Sequence, residues 1–185
     1  MQPELVRLSK FLSFVLRHHP ERIGLQLDGG GWADVDELVA KAAEAGVPLT
    51  RARLEQVVEQ NEKRRFAPSD DRRRIRASQG HSIPVDLELA PIPPPELLYH
   101  GTARPFVDAI RRDGLTARGR RHVHLSGDEE TAIAVGRRHG KPVVLTVESE
   151  RMARDGHPFY RSANGVWLTD LVPPAYLRFP PDARS

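Results

Sequence analysis

Between residues 84 and 96 the chain carries Pro84, Pro91, Pro93, Pro94 and Pro95 with little apolar periodicity. Proline fixes φ and donates no backbone hydrogen bond, so neither a helix interior nor a central strand can run through this stretch. A chain of 185 residues interrupted there is expected to form one lobe over residues 1–83 and a second over 97–185, with 84–96 as a semi-rigid linker. There is no cysteine, so neither lobe can use disulfides or thiolate metal sites, and the composition suits a reducing compartment. The N-terminal residues lack a charged start followed by an apolar run, and no run approaches the roughly 18 apolar residues that span a bilayer. The expectation is a cytoplasmic monomer with no membrane partner.

In the first lobe Leu5, Leu8, Leu12, Val15 and Leu16 recur at helical spacing from Pro3, with Phe11 and Phe14 widening the stripe and Pro20 as the stop. Asp34 with Glu37 three residues on predicts an N-cap, a second helix to about Ala45, and closure at Gly46. Thr50 can cap a third helix with Leu54, Val57 and Val58 inward. Two strand-like runs follow, Arg65 to Ala67 and Arg74 to Ala77, around a polar turn at Asp70 and Asp71. Three helices and then a hairpin is the order of a winged helix. Trp32 has the neighbours of a core residue, as does Trp167.

In the second lobe Leu97 to His100 reads as a strand whose histidine is followed by Gly101 and Thr102, where backbone can approach a ligand closely. Pro105 to Arg112 and Asp128 to Arg138 read as helices, the latter opened by three acids suited to a helix N-terminus. Val123 to Leu125, Val143 to Val147, Phe159 with Tyr160, Val166 to Leu168 and Tyr176 to Phe179 read as strands. The fold class expected is α+β. No strand-GxGxxG-helix unit is present, so a dinucleotide would not be held in the Rossmann manner.

Net charge is only +3, but its kind is informative. Lys10, Lys41, Lys63 and Lys141 are the lysines, so nearly all the positive charge is guanidinium, the group that grips phosphate bidentately. Residues 63–76 concentrate Lys63, Arg64, Arg65, Arg72, Arg73, Arg74 and Arg76 against Asp70 and Asp71. His122 and His124 share a strand face and with His100 could suggest a metal site, but no closely spaced fourth ligand follows, and no metal is expected.

Four groups of residues remain: Leu16-Arg17-His18-His19-Pro20, Arg65-Phe66, Ile75 to Ser82 with its Gln79-Gly80-His81-Ser82, and Tyr99-His100-Gly101-Thr102 paired with Arg121-His122-Val123-His124-Leu125-Ser126. In this order and spacing the chain resembles the RNA 2'-phosphotransferase family from about Leu8 to Phe179. The resemblance implies a winged-helix lobe that holds RNA and an ADP-ribosyltransferase-like mixed α/β lobe that holds NAD+. It implies an NAD-dependent transferase of tRNA splicing type that moves an internal 2'-phosphate from RNA to NAD+, releasing nicotinamide and ADP-ribose 1'',2''-cyclic phosphate.

By the same resemblance the catalytic quartet falls on Arg17, His18, Arg65 and Arg121. NAD+ falls to His100, Gly101, Thr102, His124, Ser126 and Gly136, and RNA backbone contacts to Arg76, Gln79 and His81. His19 stands where a lysine or other polar residue is common in the family, so His18 is assigned by its place after Arg17. Many transferases of the second lobe's kind carry a glutamate on a late strand; here that segment is Gly165-Val166-Trp167-Leu168, without the acid. A phosphate is ionised at neutral pH and needs no base to attack, so the acid is dispensable. Two other readings share these residues: ADP-ribosylation of a terminal nucleic-acid phosphate, and a nucleic-acid binder that senses NAD+ without turnover.

Overall fold

The computed structural model describes residues 2–181, and the chain divides into two compact units between Glu88 and Leu89. In the first unit α1 (Pro3–Arg17) starts on a proline, whose missing N–H is no loss at a helix N-terminus. Its apolar face buries Leu5, Leu8, Leu12, Val15 and Leu16. The backbone N–H groups of His18 and His19 both return to the Phe14 carbonyl and close the helix before Pro20. Phe14 is exposed and meets the His19 ring at 4.8 Å, so it leaves the expected stripe, whereas Phe11 packs against the core.

A two-residue strand β1 (Ala33–Asp34), too short to register as a periodic run, leads into α2 (Val35–Glu44). The Asp34 carboxylate caps α2 by accepting from the N–H groups of Asp36 and Glu37, and Gly46 follows in the left-handed region at φ 74°. Thr50 caps α3 (Arg51–Glu59) through the Arg53 N–H. A side-chain cap of either kind contributes about 1 kcal/mol. Strands β2 (Phe66–Pro68) and β3 (Arg74–Ala77) pair antiparallel with Phe66 opposite Ala77, and β1 adds to the far edge of β3 with Ala33 opposite Ile75. Helices and sheet enclose one core containing Leu12, Leu16, Leu38, Val57 and Ile75. The chain stays packed on this unit beyond residue 83, because Val85 and Leu87 are buried and the Asp86 N–H donates to the Gly29 carbonyl at 2.9 Å.

The second unit is built on β4 (Leu98–Ala103). A short 3-10 turn over Arg104–Phe106 precedes α4 (Val107–Asp113), which begins two residues later than the proline suggests. There follow β5 (Leu115–Thr116), β6 (Val123–Leu125), α5 (Glu129–Gly136, capped by Asp128), β7 (Pro142–Val147) and α6 (Ser149–Arg154). The chain ends with β8 (Tyr160–Arg161), β9 (Trp167–Thr169), β10 (Leu171–Val172) and β11 (Leu177–Arg178).

Antiparallel sheets β11-β7-β4 and β6-β9-β8 are joined by the Tyr99–Ser126 backbone pair, and β5 pairs with β10. Along β7, Val143, Leu145 and Val147 are buried while their neighbours are partly exposed, the period-two pattern of a half-buried strand. With Leu98, Leu125, Met152 and Phe159 they form a second, separate core. The fold is mixed α/β. Trp167 packs against this core with the Arg161 guanidinium 5.6 Å from its ring centroid. No helix among the described residues is long and apolar enough to cross a membrane.

Candidate active site

Three of the arginine- and histidine-bearing segments meet in the first unit. Arg17 is the last residue of α1, and its guanidinium Nη2 donates to the Arg65 carbonyl at 3.4 Å. The same carbonyl accepts the Ser78 N–H at 2.9 Å, which extends the β2–β3 register by one pair and fixes Arg65 at the mouth of the hairpin. Beyond Ser78 the chain turns at Gly80, φ 87°, and a side-chain carbon there would lie 3.6 Å from Arg17 Nη1. Only glycine adopts that φ at little cost, so the turn can run close beneath the guanidinium.

The turn then clips itself to the end of α1 twice. The Ser82 N–H donates to the Arg17 carbonyl at 3.0 Å, and Ser82 Oγ lies 2.8 Å from His18 Nδ1. The hydroxyl contact at Nδ1 fixes how the His18 ring is turned. His19 is held differently, by Glu21 at 3.0 Å and by stacking on Phe14. The two adjacent histidines therefore have distinct surroundings, and only His18 is tied to the Gln79-Gly80-His81-Ser82 segment.

His81 is 4% exposed and its Nε2 has no hydrogen-bond partner. Burial, and then the positive charges of Arg17, His18 and Arg76, push its pKa down to about 4. A neutral imidazole at pH 7 thus sits beneath a cluster of cations, packed near Gly31 and Val85. Buried to that degree, its ring supports the turn and is not offered to RNA at the surface. Gln79 and Arg76 are half-buried at the same end of the hairpin. Arg76 lies 4.4 Å above the Trp32 ring, with Arg74 at 5.4 Å, so Trp32 is not the core residue its neighbours suggest but a half-buried plate under two guanidiniums.

In the second unit the His100 ring is tied through Nδ1 to the His124 carbonyl at 3.1 Å. A carbonyl only accepts, so Nδ1 carries the proton and Nε2 presents a lone pair. Burial holds the His100 pKa below its ordinary value, with the carbonyl bond opposing and the Arg118 charge reinforcing, which keeps the ring neutral. Thr102, two residues on and so on the same strand face, is buried. Ser126 exchanges both backbone hydrogen bonds with Tyr99, and this pair holds the His100 and His124 segments side by side. Arg121 is exposed in the turn before β6.

The two glycines expected beside a cofactor have another reason to be glycine. A side-chain carbon on Gly101 would overlap the Ala132 carbonyl of α5, and one on Gly136 would lie 2.6 Å from the Thr102 carbonyl. They let α5 pack directly on β4, backbone to backbone.

The sequence marks neither Ser82 nor Trp32 as a site residue. Ser82 lay inside a recognised segment with no periodicity or charge to mark its hydroxyl, and Trp32 has no signal that separates a plate from a core residue. Among the described residues no group of three or more His, Asp and Glu side chains could hold a metal ion.

A family model described as RNA 2'-phosphotransferase, Tpt1 / KptA family, matches residues 3–171. A protein of Streptomyces coelicolor is 58% identical over 179 residues, covering 97% of either chain. One of Agrobacterium fabrum is 57% identical and one of Hahella chejuensis 56% identical, each over 177 residues, covering 96% of this chain and 95% of the relative. All three bear the name "Probable RNA 2'-phosphotransferase". With a family model matching nearly its whole length and relatives this similar, the chain belongs to the RNA 2'-phosphotransferase, Tpt1 / KptA family.

Proposed function

We propose that this protein removes an internal 2'-phosphate from RNA by transferring it to NAD+, through a winged-helix lobe that holds RNA and an ADP-ribosyltransferase-like lobe that holds NAD+. The observation that carries the reading is that Arg17 bonds the Arg65 carbonyl and His18 the Ser82 hydroxyl, two contacts closed across 48 and 64 residues of chain. Guanidiniums and an imidazole held this way suit a phosphate dianion that must stay bound while its bonding partner changes. Arg121 is assigned as the fourth member of the set.

His100 fits NAD+ as a neutral acceptor whose Nε2 lone pair can take a hydroxyl or amide proton, with Thr102, His124 and Ser126 as its neighbours. NAD+ supplies an electrophilic C1'' with nicotinamide as leaving group. In the first step a 2'-phosphate oxygen bonds to C1'' as the bond to nicotinamide breaks and its electron pair leaves with that ring. In the second, O2'' bonds to phosphorus and the RNA 2'-oxygen leaves, taking a proton. Arg17 and Arg65, with Arg121 by the resemblance, are assigned to hold the phosphate oxygens throughout, and His18, oriented by Ser82, to donate to a phosphate or ribose oxygen.

The test uses RNA with a radiolabelled internal 2'-phosphate, incubated with the protein with and without NAD+. Label should move into a small NAD+-derived cyclic phosphate only when NAD+ is present. Label that stays on RNA joined to ADP-ribose would mean a transferase that stops after the first step, and tight NAD+ binding with no nicotinamide released would mean a sensor. Either result overturns the proposal.

A further inference from the structure

The outer face of the β2–β3 hairpin carries a row of guanidiniums that the phosphate grip accounts for only at one end. Ile75 and Ala77 are buried in β3 while Arg74 and Arg76 alternate with them on the opposite face. Arg65 pairs with Ser78 and precedes the buried Phe66, so by alternation it belongs to the same face. From Arg65 the row therefore runs diagonally to Arg76 and along the strand to Arg74, with steps of about 7 Å. That is the scale of the step between successive phosphates of a single RNA strand.

Trp32 lies under the far half of the row, 4.4 Å from the Arg76 guanidinium and 5.4 Å from that of Arg74. Cation–π contact of this kind fixes a long side chain that would otherwise lose conformational freedom on binding a ligand. Arg76 gives Nη1 to the Gly30 carbonyl at 3.3 Å, and Arg74 gives Nη1 to the Asp28 carboxylate at 3.4 Å. Each spends one nitrogen on the protein, and Asp28 offsets part of the Arg74 charge. With two guanidiniums over it, the indole is not a platform for a base. What the assembly presents is fixed N–H donors, which suit phosphate.

We infer that Arg74, held with Arg76 on Trp32, extends the RNA contact the resemblance implies for Arg76 into a track along the sugar-phosphate backbone of the strand adjoining the modified nucleotide, continuing outward from Arg65. The track rests on the RNA-processing reading above and extends it to strand length. A substrate with only a nucleotide or two around the 2'-phosphate reaches Arg65 alone, whereas a longer strand reaches Arg76 and Arg74.

The test measures binding, so it does not depend on turnover. Fluorescence anisotropy gives Kd for a 2'-phosphorylated dinucleotide and for a strand of about a dozen nucleotides across a salt series, using the full chain. Arg74→Ala should weaken binding of the long strand several-fold, leave the dinucleotide Kd in place, and reduce the slope of log K against log salt by about 0.7, the value for one phosphate contact on a single strand. Trp32→Leu should weaken the long strand while keeping the slope, because both charges remain. Arg112→Ala, an exposed arginine elsewhere, serves as the control and should change nothing. An unchanged long-strand slope in Arg74→Ala, or equal weakening of both ligands, overturns the track. Absence of phosphate transfer in the wild type would overturn the functional reading instead, and the binding slopes would still decide the track.

Discussion

Gly101→Ala separates two reasons for a glycine at the centre of β4. Alanine is the better strand residue, so the backbone alone would gain about 0.5–1 kcal/mol. Against that, the new methyl would overlap the Ala132 carbonyl and come within 2.9 Å of the Gly136 nitrogen, both backbone atoms that cannot rotate away. β4 cannot retreat, since it is paired with β7 at six successive positions from Leu98 to Ala103. The helix must lift, and overpacking of this kind costs about 1–3 kcal/mol or somewhat more. A net loss of about 2 kcal/mol in a domain of roughly this size lowers its melting temperature by about 8–16 °C. Calorimetry of Gly101→Ala beside Gly127→Ala, where a side-chain carbon meets nothing within 4 Å, makes the comparison. Isothermal titration with NAD+ completes it. If Gly101→Ala melts with Gly127→Ala yet loses NAD+ binding, glycine is there for the ligand and the packing account is wrong.

Other expectations follow from the first unit. His18→Ala should abolish phosphate transfer while His19→Ala retains most of it, because only His18 is tied to Ser82; equal losses in single-turnover assays would undo the assignment. Ser82→Ala should lower kcat by roughly tenfold through a loosened His18 ring, an effect of about 1.4 kcal/mol on the barrier, and should change the pH profile of kcat; a normal profile refutes the orienting role. His81 binds its proton less readily folded than unfolded, so its contribution is complete above pH 6.5 and is lost as pH falls from there toward 4. That contribution is of order 3 kcal/mol. Chemical denaturation of His81→Gln between pH 7 and pH 4.5 should show a much weaker acid loss than the wild type, and parallel curves would exclude His81 as the cause.

What could be read from the sequence divides by the range of the interaction that decides it. Asp34 and Thr50 cap their helices through residues two or three positions away, and the hairpin strands lie within one residue of the expected runs at 65–67 and 74–77. Such signals are local. β5 pairs with β10 over only two residues and α6 is six residues long, so neither holds enough periodicity to stand out before the rest of the unit surrounds it. Helical spacing puts Phe14 at the edge of the apolar stripe, and only the folded His19 shows that edge to be outside. For the candidate site, the segments were legible as motifs, but the bonds joining them were not: nothing in Gln79-Gly80-His81-Ser82 says which side chain reaches back to α1, or that His81 would be sealed beneath it.

The clip between the Gly80–Ser82 turn and the end of α1 also bears on when the site comes into being. Its partners are the last residues of the first helix and the first residues after the last strand of the same unit, so every element between must be in place before the hydroxyl can reach the imidazole. Contacts closed over so much chain are late, entropically costly events in folding. Until the hairpin docks, Arg17 and His18 at the end of α1 lack the Arg65 carbonyl and the Ser82 hydroxyl that hold them. On the proposed function, competence to hold a phosphate arrives with the completed lobe. Hydrogen exchange at the Ser82 amide should report the same opening free energy as the amides of the core strands beneath it.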